Sequence, residues 1–405
     1  MNQYFKEYFD VKTLLICLAL VGMGLLSIYS ATFDINNAAN FHRQAVWAGI
    51  GFLGMIVVML LPIRTLQRLA FVIYGVVLFV LLVVLVVGST IKGTKSWFGV
   101  GGLGGQPSEF AKVATVLAAA AYLSRTEVSI TRLKDLIVTL VIFGVPMVLI
   151  LAQPDLGTTI VFFAALMPVL FWAGASNFIL IAILVPILVA FGALFGTAAF
   201  LIAAAIGAGT LYYFRENRFA VAVAFGIALA VGLSAQLVYE RLPAYQQKRI
   251  ATFLNPEADP LGAGYNVVQS KIAIGSGGLT GKGYLHGTQT QLNYIPEQWT
   301  DFIFCVPGEE FGFVGAAFVL GLFAALIFHG ISIAGLSKNR FGSIGAIGIT
   351  AVLATHVAVN VGMAMGLMPV IGIPLPFLSY GGSALVANFL MAGLLMNFYA
   401  NRKEH

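Results

Sequence analysis

Apolar residues run along this chain in stretches of about 17–25, the length an α-helix needs to cross the hydrocarbon core of a bilayer. Twelve such runs are legible, near residues 13–31, 44–62, 69–91, 107–123, 136–153, 156–173, 178–195, 197–214, 219–238, 305–333, 343–366 and 383–400. They predict an all-α, polytopic integral membrane protein forming a single membrane domain over residues 1–405. The runs at 178–195 and 197–214 are separated by little more than Gly196, which leaves a re-entrant pair open. Pro146, Pro168 and Pro186 fall inside spans, where neighbouring helices can satisfy the carbonyls they free. The pattern breaks once at length, over a predicted loop at 239–304. Most of that loop is the polar stretch DPLGAGYNVVQSKIAIGSGGLTGKGYLHGTQTQLNYIPEQWTD at 259–301. Shorter interruptions are KGTKSWFGVGGLGGQPSEFAK (92–112), QPDLGT (153–158) and GLMPVIGIPLPFLSYGGS (366–383).

Composition confirms the class. The chain is 60% hydrophobic and 9% charged, where a soluble domain carries about 25% charged residues. A net charge of +6 then reads as helix ends facing an anionic leaflet rather than as a nucleic-acid surface. With the N-terminus inside, short loops holding Arg64, Arg68, Arg125, Arg132, Arg215 and Lys338 lie on the cytoplasmic side, while most basic residues of the other side sit in the long loop. Short loops carry the positive-inside signal, so both termini are expected in the cytoplasm and all four polar interruptions outside. The run at 13–31 is too long for a signal-peptide core and reads as a first spanning helix. Cys17 and Cys305 have neither disulfide-framework nor metal-ligand spacing.

Acidic groups in or beside spans are costly and need a reason. Asp301 stands where the polar loop meets the next apolar run. It reads either as a helix N-cap or as a general base whose pKa Phe302, Ile303 and Phe304 raise by desolvation. Glu109 and Lys112, three apart in QPSEFAK, share a helix face and read equally as an intrahelical ion pair or as a functional pair. Asp155 is a further acidic candidate. Lys248, Arg249 and Lys271 would grip a phosphate or a lipid headgroup. Glu309 and Glu310 fit structural pairing better, and His356 and Asn360, four apart on one span, fit interhelical hydrogen bonding. His286 has no metal-ligand company. The GSGGLTGKG tract lacks P-loop spacing and a preceding strand; its glycines allow tight turns and close approach of backbone to a ligand or lipid.

The polar stretch at 259–301 with its continuation DFIF closely resembles the signature of the SEDS (shape, elongation, division, sporulation) membrane proteins, and GYLHGTQTQL gives it RodA-like wording. KSWFGVGGLGGQPSEFAK, AQPDLGT and MPVIGIPLPFLSYGGSALV match in the same order. The resemblance implies a family core of ten spans, so the surplus places a two-helix insertion around 174–238. It departs from the family again at Trp299, where histidine is frequent. It implies a peptidoglycan glycosyltransferase that polymerises lipid II during cell elongation, in the bacterial cytoplasmic (inner) membrane with its active site outside. By carry-over Asp301 matches the catalytic aspartate, while Glu109, Lys112, Asp155, Trp97 and Arg249 match functionally sensitive or loop positions. Asp301 would deprotonate the acceptor hydroxyl, and Lys112, Arg249 or a divalent cation (Mg2+ or Mn2+) near Glu109, Asp155 and Asp301 would neutralise the leaving pyrophosphate. The implied partners are a class B penicillin-binding protein and other elongation-complex membrane proteins. A flippase or transporter of lipid-linked precursors is the alternative.

Overall fold

The structure is a computed structural model describing residues 8–33, 38–91, 94–100, 103–215, 217–242, 247, 264–296 and 298–404. Each of the twelve apolar runs is helical: α1 (Val11–Thr32), α2 (Ala38–Leu60), α3 (Ile63–Val87), α4 (Pro107–Leu123), α5 (Leu133–Leu151), α6 (Leu156–Trp172), α7 (Asn177–Leu194), α8 (Thr197–Tyr213) and α9 (Arg218–Arg241), then α13 (Gly312–Leu336), α14 (Arg340–Ala364) and α15 (Gly382–Ala400). Among the described residues between α9 and α13 stand three shorter helices, α10 (Tyr265–Ser276), α11 (Thr288–Gln291) and α12 (Cys305–Glu310). Nine of the helices among the described residues are long and apolar enough to cross a membrane; α6 and α8 are shorter apolar helices. The chain is thus a helical membrane protein. The sequence did not announce a small antiparallel sheet, β1 (Ser89–Ile91), β2 (Thr94–Val100) and β3 (Leu103–Gly105), paired in that order ahead of α4.

Burial separates the helices by role. In its most apolar window α14 is 83% buried and α15 78%, against 17% for α2, α3, α7 and α9. A helix covered on every side is a central pillar, and α14 packs against α4, α6, α13 and α15. Small residues make that close approach possible: a Cβ on Gly348 of α14 would stand 2.6 Å from Val116 of α4, and one on Gly345 would stand 2.8 Å from the Phe398 ring of α15. Helices α7–α9 build a second apolar cluster of their own from Phe178, Val185, Val189, Ala204, Leu211, Ala224 and Ala228. Gly192, Gly207 and Gly232 let these three helices touch. The region around 174–238, where the resemblance suggested a two-helix insertion, thus holds three helices with an apolar cluster of their own.

Much of the predicted 239–304 loop is ordered structure. Helix α9 continues to Arg241, and α10 packs on α12. The glycine tract makes its close approach to the protein's own backbone. Gly277 lies on the carbonyl of Gly308, and Gly281 (φ +82°) lies on that of Glu310. Four backbone hydrogen bonds of 2.9–3.1 Å fasten residues 278–283 to residues 309–314. Helix α1 is fitted as closely to the segment before α15, because a Cβ on Gly24 would meet the Phe377 carbonyl oxygen at 2.6 Å and Leu378 Cα at 2.8 Å. Backbone cannot step aside as a side-chain tip can, so Gly24→Val is expected to cost about 1–3 kcal/mol through overpacking. The check is a lowered thermal midpoint of the detergent-solubilised protein, with Gly22→Val, at a position with open space around it, as the unaffected control.

Candidate functional site

Pro107 opens α4 behind an extended Gln106, a placement in which the missing proline N–H is no loss. Glu109 falls in the first turn, where free N–H groups favour a carboxylate. One turn on, Lys112 shares its face, and the two residues are only 3% and 1% exposed. Lys112 Nζ lies 2.9 Å from both Glu109 carboxylate oxygens and 2.7 Å from His356 Nε2. An ammonium has three N–H donors, so this set uses all of them. On the far side of the imidazole, Nδ1 is 3.0 Å from the Pro374 carbonyl oxygen. A carbonyl only accepts, so the partners assign the proton to Nδ1 and leave Nε2 a lone pair for Lys112. His356 is neutral in this arrangement.

One turn along α14, Asn360 Nδ2 donates to the carbonyls of Asp301 and Ile373, each at 2.8 Å. Asp301 lies in the turns before α12, and that helix begins at Cys305 with Phe304 in the N-cap position. The N-cap reading of Asp301 therefore falls. Phe302, Ile303 and Phe304 are 1%, 0% and 2% exposed, so the carboxyl is carried on a buried apolar base. The backbone on its N-terminal side is fastened too: Ser379 Oγ donates to the Thr300 carbonyl at 2.6 Å and Tyr380 N to the Trp299 carbonyl at 2.8 Å. The carboxylate faces the loop beyond α14, where a Cβ on Gly372 would stand 3.5 Å from Asp301 Oδ2.

Asp155 caps α6. Its Oδ1 accepts from Thr158 N at 2.9 Å, and its Oδ2 from Thr158 Oγ1 at 2.8 Å and Gln106 Nε2 at 2.9 Å. Burial raises its pKa above the ordinary aspartate value, the Thr158 hydrogen bonds oppose that, and the Glu109 charge adds to it. The next turn of α6 touches the same loop, since a Cβ on Gly157 would meet the Ile371 carbonyl oxygen at 2.7 Å. Ile371, Gly372, Ile373 and Pro374 thus meet, in succession, Gly157 in the turn that Asp155 caps, the Asp301 carboxylate, Asn360 and the His356–Lys112–Glu109 set. The structure brings Asp301, Asp155, Glu109 and Lys112 together around four residues of backbone.

The other sequence candidates divide. Lys271 is exposed on α10 beside the C-terminal end of α14, its stem 3.2 Å from where a Cβ of Gly366 would be, while neighbouring Ser270 Oγ donates to the Ala364 carbonyl at 2.9 Å. Trp97 pairs in β2 opposite Ser89, ahead of α4. Arg249 and Lys248 lie outside the described residues. Glu309 is a structural anchor: it accepts from Lys282 Nζ at 2.8 Å and from Gln289 N and Thr290 N at 2.8 and 2.9 Å. Glu310 accepts from Ser30 Oγ and from Leu285 N. His356 and Asn360 do more than bridge helices, because they hold the loop and the Asp301 backbone. The signal for that role was in the sequence, as two polar residues one turn apart on an apolar helix that runs into a proline-rich polar segment.

A divalent cation does not fit the arrangement around α4. Both Glu109 oxygens are taken by Lys112, and the Asp155 oxygens already accept three donors. Among the described residues no three His, Cys, Asp or Glu side chains group as a metal site. Lys112 does not fit a direct grip on a leaving pyrophosphate either, being buried with its three donors engaged. The ion pair's weight in the structure is measurable. Lys112→Met leaves a buried carboxylate uncompensated, and breaking such a pair costs about 3–5 kcal/mol. Thermal unfolding in detergent is expected to show that loss, and Glu109→Gln/Lys112→Met to recover most of it.

The polar end of the bundle has counterparts. The family described as "Cell cycle protein" (FtsW/RodA/SpoVE) matches residues 11–219 and 195–404. The two stretches overlap within the α7–α9 unit. The peptidoglycan glycosyltransferase MrdB of Escherichia coli (strain K12) is 37% identical over 398 residues, covering 98% of this chain and 95% of the relative. The peptidoglycan glycosyltransferase RodA of Treponema pallidum (strain Nichols) is 35% identical over 434 residues, covering 97% and 98%. Among solved structures, a chain of a peptidoglycan synthase complex that coordinates polymerization and crosslinking superposes with TM-score 0.73 at 28% identity, covering 98% of this chain and 99% of its own. The rod shape determining protein RodA of Thermus thermophilus does so with TM-score 0.65 at 27% identity, covering 98% of each chain. The chain belongs to the FtsW/RodA/SpoVE family and is a membrane glycosyltransferase.

Proposed function

We propose that this peptidoglycan glycosyltransferase polymerises lipid II into glycan strands for cell elongation, with Asp301 as general base. The observation that carries the reading is the mounting of Asp301. Its backbone is held by Asn360 on one side, and Ser379 and Tyr380 hold the residues just before it. It stands outside the N-cap position of α12, which Phe304 holds. A carboxylate fixed this way has the rigidity that proton abstraction in a defined pose requires.

Asp301 accepts the proton of the acceptor sugar's 4-hydroxyl. The oxygen attacks the anomeric carbon of the donor sugar, and the bond from that carbon to the lipid pyrophosphate breaks as the new glycosidic bond forms. The pyrophosphate leaves with the electron pair, and an exposed cation must meet its charge. Lys271, on α10 by the C-terminal end of α14, is the described residue that fits; Arg249 is the further candidate from the sequence. Polyprenyl tails remain in the bilayer while sugars and pyrophosphate enter the polar end.

The loop charges support placing that end outside the cytoplasmic membrane of a bacterium and both termini inside. The ends of the described chain agree with one another. Asp10, at the start of α1, lies 2.8 Å from His329 Nε2, and that ring neighbours Tyr399 near the end of α15. The likeness to a chain of a peptidoglycan synthase complex supports a class B penicillin-binding protein as partner, supplying crosslinking, together with other elongation-complex membrane proteins.

The decisive variant is Asp301→Asn, which keeps size and removes the base. Its polymerisation of lipid II, followed as glycan product on gels, is expected to fall by about 10²–10⁴-fold with the thermal midpoint unchanged. Product formed at the wild-type rate would sink the assignment, and transfer of lipid II across liposomes without polymer would replace it with transport.

A further inference from the structure

Lys112 is saturated and buried, yet the set it belongs to reaches the loop that faces Asp301. The connection runs through one side chain. His356 accepts from Lys112 on Nε2 (2.7 Å) and donates from Nδ1 to the Pro374 carbonyl (3.0 Å). Two residues back in the loop, Gly372 faces the Asp301 carboxylate, and the Ile373 carbonyl shares Asn360 Nδ2 with the Asp301 carbonyl. Asn360 Oδ1 is buried without a partner. Turning that amide over would set the oxygen against two carbonyl oxygens, so its orientation is fixed.

We propose that His356 is a positioning residue for glycosyl transfer: one ring nitrogen takes the Glu109–Lys112 ion pair, the other fixes the 371–374 backbone against Asp301, and the pair acts on Asp301 through it without touching substrate. This rests on Asp301 being the base. Histidine suits the place because one rigid ring presents an acceptor and a donor on different sides. Only the neutral Nδ1–H form serves. A proton on Nε2 would confront the Lys112 ammonium at 2.7 Å with no acceptor between them. Glu109, with both oxygens on Lys112, keeps that ammonium aimed.

The test compares the full-length wild type with His356→Gln, His356→Asn, the neutral pair Glu109→Gln/Lys112→Met, and the triple variant that joins His356→Gln to the neutral pair. Initial rates over a range of lipid II give kcat and KM, and amide hydrogen exchange reports on residues 371–375. His356→Gln keeps an acceptor near Lys112 but loses the Nδ1 donor. Its kcat is expected to fall about tenfold or more with KM within about threefold, and exchange at 371–375 to quicken. His356→Asn puts an amide donor near the Nδ1 position and should restore both exchange protection and part of kcat. The neutral pair should lose activity while staying folded, and the triple variant should be no worse than the worse of its parents, because effects sharing one path do not multiply.

Multiplying losses, a fall expressed in KM alone, or a fully active His356→Gln with unchanged exchange would each overturn the inference. Should His356→Gln not fold, the neutral pair decides, since lost activity with unchanged exchange at 371–375 also overturns it. Asp301→Asn run alongside separates the two claims. If it is active, both fall; if it is inactive beside a fully active His356→Gln, only the role of His356 falls.

Discussion

Irregular backbone inside an apolar bundle has to find its hydrogen bonds within the protein, since lipid supplies none. Residues 371–381 and 298–304 are such backbone. Helix α14 meets the demand from the centre, with His356 on the Pro374 carbonyl and Asn360 on those of Ile373 and Asp301. Ser379 and Gln44 complete it: Ser379 Oγ donates to the Thr300 carbonyl and accepts from Leu375 N, while Gln44 donates to the Ser379 carbonyl and accepts from Gly381 N. Remove these side chains and the segments have no stable place at that depth. The site is the by-product of satisfying them.

Charge is managed by the same economy of partners. A lone ammonium or carboxylate as buried as Lys112 and Glu109 would be untenable. Together, and with a neutral imidazole taking the third N–H, they form a closed set inside α4 and α14. A closed set is available for architecture and unavailable for ligand. Asp155 stands between the two conditions, capped by Thr158 and Gln106, with burial and the Glu109 charge pressing its carboxyl toward protonation.

The helices were legible because spanning length and apolarity leave few alternatives, and all twelve runs at 13–31 through 383–400 are helical. Asp301, Glu109, Lys112 and Asp155 were legible because carboxylates and ammonium groups are conspicuous against such a background. Their arrangement was not. Whether Asp301 capped a helix depended on where α12 began, four residues on, and no local pattern sets that apart. Lys112 looked like a phosphate ligand until the position of His356, 244 residues away in sequence, showed its third donor taken. The glycine tract pointed to close approach but could not name the neighbour, which proved to be residues 308–312. The β1–β3 sheet went unseen because its glycine-rich strands carry no alternation.

The α7–α9 unit has its own apolar cluster, packed through Gly192, Gly207 and Gly232. Much of its cohesion is therefore internal, and the bonds described above for Asn360, His356 and the 371–374 loop are made with other parts of the chain. A fluorescent label or a fused domain placed there alters none of the residues that hold the Asp301 backbone.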